Sequence, residues 1–510
     1  MNFGGRLSAC LRSGGFQRLT APLGIAAGAI VLRVVAGVGF ANYDTLYALT
    51  WGGQLARGET PQYGIPIAPT PHPLVEVLGV VLSPLSPHTI EDVTVALGFL
   101  ALSACGWVVY RLGAAWFGRA AGAVAALILL SRVPVLSYGV RAYVDIPYLL
   151  LVLCALLVES RRRRAGVPVL VLLALAGLLR PEAWVFSGLY WLYLAAPWLQ
   201  RGRTFGSVGD RSLHTRVLAG SKAARPRGEL VHLALLAAAA PLLWVASDWL
   251  ITGHPLWSLT NTRHTATTLD RVTGIGNVPQ YIPRRIGEIL SPAVLVGAAL
   301  GGVLSLWLLP RRARLGAVVG VVAVVVFAAF ATVGLPINTR YAFLASAILC
   351  LFCGAGVFGW RRLPREDPRR RWWMAAGALV FLALLVSIPS QYNSAHSELR
   401  KLARQESIQN ELLALVEDGW ISRRCEPVGV PNHAPIPLLA LYLETSPRKI
   451  VSAEASPITS GTYIDPASKE VEEDYVLDPH DPHLPVNVPP GFTEAHANRS
   501  WFIFEHCKSE

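Results

Sequence analysis

The chain is 510 residues long, 53% hydrophobic and only 15% charged, with a formal net charge of +12. A soluble protein keeps roughly 25% charged residues, so composition excludes a soluble globular protein. The basic excess sits in short arginine clusters between apolar runs, which points to a membrane surface and argues against a nucleic-acid partner.

Runs long enough to cross a hydrocarbon core of ~30 Å must be helices, because lipid offers backbone N–H and C=O groups no partner. Eleven apolar segments read this way, at about 21–41, 91–112, 119–137, 146–158, 166–180, 183–198, 230–250, 291–309, 315–334, 341–360 and 372–389. The first follows Arg6, Arg12 and Arg18. Its apolar stretch is too long for a signal-peptide core and no A-x-A site follows, so it reads as a retained helix. With the N-terminus cytoplasmic, the inside segments collect 161–164, the 201–228 loop, Arg311, Arg312, Arg314 and the 361–371 cluster. Eleven crossings then leave the C-terminus outside.

Three outside segments are too long for turns: 42–90, 251–290 and everything after 390. The first holds a helix-like stretch at 43–57 and a short apolar stretch at 73–85, expected to lie in the interface. Segments 166–180 and 183–198 are short and meet at Leu179-Arg180-Pro181-Glu182-Ala183-Trp184. Charges at the hydrocarbon edge cost a few kcal/mol each, so this pair needs partners or a wet cavity. The expected organisation is a membrane region, 1–390, and an extracytoplasmic soluble α/β domain, 391–510. The latter carries 18 acidic against 10 basic residues. Within it, 394–417 reads as an amphipathic helix closed by Gly419. Apolar runs at 427–430, 438–443, 450–451 and 501–504 suggest a small α/β unit, and 455–490 reads as loop.

Of seven cysteines, Cys425 and Cys507 fall in this outer domain, where a disulfide is expected. Cys350 and Cys353 form a C-x-x-C inside an apolar run with no second pair, and read as small packing residues.

Candidate chemistry gathers on the outer side. Asp44, in Asn42-Tyr43-Asp44 after the first helix, is a candidate general base; it equally fits a helix cap before Thr45. Arg180, Arg263, Arg340 and Arg141 lie at helix ends or in long loops, where a guanidinium can grip a phosphate or touch lipid headgroups. Asp145 and Glu182 join them, with helix capping the alternative for Asp145. His72, His254 and His264 show no metal-ligand spacing. No P-loop, G-x-G-x-x-G or H-E-x-x-H occurs, which argues against an ATP-driven pump.

The order of these features resembles the polytopic GT-C glycosyltransferases, the group that includes protein O-mannosyltransferases and lipid A aminoarabinose transferases. The likeness spans about 20–390. It rests on Asp44 after helix 1, a Tyr/Trp-containing stretch ending in Ala56-Arg57-Gly58, Pro61-Gln62-Tyr63, His72-Pro73-Leu74, Arg180-Pro181-Glu182 and Arg340-Tyr341. It implies a GT-C-like helical fold and transfer of a sugar from a polyprenyl-phosphate donor to a lipid, glycan or protein acceptor on the outer face, with inversion. In that reading Asp44 is the base, and Tyr43, His72, Asp145, Arg180, Glu182, Arg263 and Arg340 serve the donor. Many relatives carry two adjacent acidic residues where this chain has Asp44-Thr45-Leu46, a departure that argues against a bound divalent metal. Two other classes compete: a transporter or flippase of a lipid-linked substrate, and a non-enzymatic assembly factor. The first predicts paired repeats and midplane charges, of which the chain shows neither.

Overall fold

The computed structural model describes residues 14–203, 226–476 and 488–507. Arg6, Arg12 and most of the basic 201–228 loop lie outside them. Among the described residues, five helices are long and apolar enough to cross a membrane: Pro87–Trp116, Arg227–Thr252, Pro310–Thr332, Thr339–Arg362 and Arg369–Glu417. Two bent pairs bring the number to seven: Arg119–Leu130 with Val133–Val140, at 65°, and Ile275–Ile289 with Pro292–Leu308, at 106°. The breaks fall at prolines, which carry no N–H to continue a preceding helix: Pro134 opens the second arm of one pair and Pro292 that of the other.

Two other segments expected to span form helices shorter than the ~30 Å core: Asp145–Arg161 has 17 residues and Val167–Gly177 has 11, about 25 and 16 Å at 1.5 Å per residue. The run at 166–180 counts its helix together with the flanking turns. The apolar helices make this a membrane protein.

Packing is by close backbone approach, as between membrane helices generally. A Cβ at Gly301 would run into the Phe352 carbonyl and the Gly356 backbone, so only glycine lets Pro292–Leu308 lie against Phe343–Phe358. Cys350 and Cys353 are free thiols buried in this seam. In the first long loop, helices Tyr43–Ala56 and Pro73–Leu82 touch through Gly52 and Gly79 in the same way.

Past Val386 the chain continues as helix Ile388–Glu417 and ends in a five-stranded sheet. Its strands are β1 (Val428–Val430), β2 (Ile450–Ser452), β3 (Gly461–Pro466), β4 (Thr493–Ala497) and β5 (Trp501–His506), in the order β2-β1-β3-β5-β4. β1 runs parallel to β2 and β3; β5 is antiparallel to β3 and β4. Strand β3 falls in the stretch expected to be loop. Its Thr462, Tyr463 and Ile464 are buried, and the Pro, Asp and Ser around them hid a run too short to stand out. Buried Trp501 donates its indole N–H to the Ile408 carbonyl at 3.0 Å, fastening the sheet to the long helix. A disulfide joins Cys425, before β1, to Cys507, after β5.

This C-terminal unit is seated on the first long loop and the start of helix Pro87–Trp116. Tyr442 Oη donates to Glu91 Oε2 at 2.6 Å, Ser446 Oγ to Gln62 Oε1 at 2.6 Å, and the Gly39 N–H to Glu406 Oε1 at 3.0 Å.

Candidate active site

Between the bundle and the C-terminal unit lies a cavity of about 930 Å³. Its floor is built by the first long loop. Asn42, not Asp44, caps helix Tyr43–Ala56: its Oδ1 accepts from the N–H groups of Asp44 and Thr45 at 2.9 and 3.3 Å. That leaves the Asp44 carboxylate turned away from the helix end, with Oδ2 taking a bond from Arg340 Nη1 at 2.7 Å. Burial pushes the Asp44 carboxyl up. The charge and hydrogen bond of Arg340, with smaller contributions from His72 and Arg271, pull it down by more, so the carboxyl is held below the usual carboxylate range.

A second ion cluster sits beside it. Asp145 does not cap its helix, where no side-chain cap bond forms; its Oδ1 instead binds Arg180 Nη1. Arg180 also reaches Glu182 Oε1 through Nε and Nη2, at 3.0 and 2.6 Å, and its guanidinium stacks 4.6 Å from the Tyr341 ring. All three charged side chains are buried. Breaking such a pair by removing one partner costs about 3–5 kcal/mol, so Arg180 is held in place by its carboxylates. Taken with Asp44 and Arg340, the floor carries three carboxylates against two guanidiniums, an excess of one negative charge.

His72 lines the same cavity and is buried. Its Nδ1 lies 2.8 Å from the Leu179 carbonyl, which can only accept, so Nδ1 carries the proton in the neutral ring. Burial, aided by Arg180 and Arg340 and opposed by Asp44, pushes the imidazole down to about 4. Tyr43 completes this wall: its hydroxyl donates to the Ile67 carbonyl at 3.1 Å and its ring meets His433 edge-on at 5.5 Å.

The structure thus brings Tyr43, Asp44, His72, Arg180, Glu182 and Arg340 to one cavity, with Asp145 directly behind Arg180. Arg141 lines it too, hydrogen-bonded to Ser137 Oγ at 2.9 Å and stacked on Tyr143. Arg263 is not among the lining residues: it points outward and donates to the Val333 carbonyl on the exposed surface. His254 and His264 do not line the cavity either. Among the described residues, no group of three or more His, Cys, Asp or Glu is placed to hold a metal ion.

Several lining residues escaped the sequence reading: Arg271, Asp248, Lys401, Gln405, His433 and Asp474. Asp248 is buried and accepts from the N–H and hydroxyl of Ser258 at 2.9 and 2.7 Å, holding the start of helix Trp257–Thr268. For His433 a signal existed, since it follows the 427–430 run where a strand's C-terminal end is expected to point at a ligand. Lys401 and Gln405 had none, because a polar stripe on an amphipathic helix reads as a solvated face.

No family model matches the chain, and no curated protein matches it. Solved structures do. ArnT from Cupriavidus metallidurans bound to undecaprenyl phosphate is similar with a TM-score of 0.53 and 14% identity, covering 98% of this chain and 99% of that one. The same enzyme in the apo state gives 0.51 and 14%, over 94% and 96%. Over nearly its whole length this chain therefore shares the fold of that structure, helical bundle and C-terminal unit together.

Proposed function

We propose that this protein is an inverting membrane glycosyltransferase, moving a sugar from a polyprenyl-phosphate donor to an acceptor on the outer face of the membrane. The observation that carries the reading is the Asp44–Arg340 pair, 2.7 Å apart on the floor of a large cavity at the end of the bundle under the C-terminal unit. A single displacement needs a base on one side of the anomeric carbon and stabilisation of the departing phosphate on the other. Asp44, ionised and held through Oδ2, takes the acceptor's hydroxyl proton on Oδ1. Arg340 Nη1 is committed to that carboxylate, so its remaining N–H groups, with Arg271 on the same cavity wall, meet the charge that develops on the leaving phosphate across the anomeric carbon. Arg180 acts through position: locked by Asp145 and Glu182, it shapes the floor and supports Tyr341 beside Arg340. His72, neutral and pinned to Leu179, closes the donor side.

The similarity to ArnT, a structure that holds undecaprenyl phosphate, supports a lipid-linked donor. The apolar side of the cavity supports it as well, with Trp184, Val185 and Trp244 on its wall. Residues 391–510 act as an extracytoplasmic domain over this site. The Cys425–Cys507 bridge supports that side, because disulfides persist in oxidising compartments.

The test is release of polyprenyl phosphate from a panel of polyprenyl-phosphate sugars by reconstituted protein, wild type against Asp44→Asn. Release by wild type that the substitution abolishes, with melting behaviour retained, supports enzyme and base together. Equal release by both would move the base elsewhere, and no release from any donor would remove the transferase reading.

A further inference from the structure

The cavity has two chemically different ends. One is apolar, lined by Trp184, Val185, Trp244, Val245, Leu256 and Leu259 around the ends of helices Glu182–Arg203 and Arg227–Thr252. The other lies under the C-terminal unit, where Lys401, Gln405, Gln409, His433 and Asp474 face the same space. An isoprenoid chain placed at the polar end would strip these groups of water and return no hydrogen bonds, at about 1–3 kcal/mol for each.

The spacing of the polar set has a structural origin. Residues 398, 401, 405 and 409 recur every three or four positions, so helix Ile388–Glu417 turns one polar stripe towards the cavity. Opposite them, the sheet contributes His433, which follows the C-terminal end of β1 and lines the cavity; Glu454, which follows the neighbouring parallel strand β2, lies behind it with Oε2 3.4 Å from His433 Nδ1. Loops at that end of a parallel sheet are where such sheets bind ligands.

The donor and acceptor inventory identifies what fits. Lys401 only donates, Glu398, Glu473 and Asp474 only accept, and Gln405 and Gln409 do both. Positive and negative groups are mixed, so no single-sign ligand is favoured. A hydroxyl both donates and accepts, and a run of hydroxyls matches this alternation. We infer that the polar end holds the acceptor, and that the acceptor is a neutral, hydroxyl-rich glycan. This rests on the glycosyltransferase reading and adds the acceptor class to it. In the transfer, one glycan hydroxyl oxygen bonds to the anomeric carbon. The bond from that carbon to the phosphate oxygen breaks, with its electron pair leaving on the lipid phosphate, and the hydroxyl proton passes to Asp44.

The experiment uses full-length protein in proteoliposomes with the polyprenyl-phosphate sugar that wild type hydrolyses. It adds either neutral hexose and pentose oligosaccharides or a Ser/Thr-rich peptide. Oligosaccharide is expected to accelerate release of polyprenyl phosphate and to become labelled. Lys401→Ala and Gln405→Ala, on a face with room for truncation, each lower the ratio of transfer to hydrolysis about tenfold, as loss of one hydrogen bond predicts. Labelling of the peptide alone, stimulation by no oligosaccharide, or an unchanged ratio in both variants overturns the glycan assignment while leaving the transferase in place. A wild type that hydrolyses no donor overturns both.

Discussion

The floor and the roof of the cavity are built on opposite principles. The floor is closed: Asp44, Asp145, Arg180, Glu182 and Arg340 are tied to one another by short ion pairs, and most are buried. The roof is more open: Lys401 is exposed, Gln405 half-buried, and Asp474 is shared with Arg404 at 3.4 Å, while Gln409 and His433 are buried. A closed charge cluster holds geometry well, because each group is fixed by its counter-charge in a medium that screens little. An open polar stripe holds no geometry of its own and adapts to what binds. In the proposed reading this is a division of labour, with positions that must not move on the bundle and positions that select the acceptor under the C-terminal unit.

That contrast breaks first at Asp44. Asp44→Asn keeps size and removes the proposed base, and is expected to lower polyprenyl-phosphate release about 10²–10⁴-fold, measured on reconstituted protein. A loss of less than tenfold would mean that the floor does not carry the base.

Arg180 tests whether the floor is truly interlocked. Arg180→Leu strands two buried carboxylates and is expected to cost about 3–5 kcal/mol, read as a fall in melting temperature and yield in detergent. Replacing Asp145 and Glu182 by leucine in the same protein should restore much of it, since a buried cluster exchanged whole for apolar groups is often neutral. A triple variant no better than the single one would show that packing, not charge, is at stake.

His72 sharpens the comparison through pH. Its pKa is lowered from 6.5 to about 4 on folding, so between these values the unfolded chain binds more protons than the native one. Stability therefore falls as pH drops through that window, by about 3 kcal/mol at most from this residue. His72→Gln is expected to flatten the decline in stability measured from pH 7 to pH 4. An unchanged slope would assign the acid sensitivity elsewhere.

The smallest effect concerns how the roof is held. Tyr442→Phe removes the 2.6 Å bond to Glu91, which also accepts from the Ala41 N–H at 2.9 Å. A hydrogen bond to a charged group contributes about 1.5–3 kcal/mol, so limited proteolysis between residues 418 and 460 should speed up by about tenfold with the bundle intact. Cleavage at the wild-type rate would show that the other seats suffice.

Much of the class of this protein was legible in its residues. Long apolar runs announce membrane helices because the bilayer leaves the backbone no alternative, and short-range signals announce helices such as Tyr43–Ala56 and Pro73–Leu82. Less legible was the number of spans: runs such as 166–180 merge a short helix with its turns, and Pro134 bends the run at 119–137 that looked straight. Strand β3 was lost among turn residues for the same local reason.

What the residues alone determined is the chemistry on offer: carboxylates, guanidiniums and imidazoles collected at helix ends and in long loops of a membrane protein. Only the tertiary structure decided who meets whom. Asp44 and Arg340 stand 296 positions apart, and Asp145 and Arg180 are joined across two helices. Arg263, alike in sequence, was left on the surface. Such pairings follow from how helices pack and where the C-terminal unit is seated, interactions between distant segments that leave no periodic trace along the chain. Hydropathy is a property of each segment, whereas a site is a property of their arrangement.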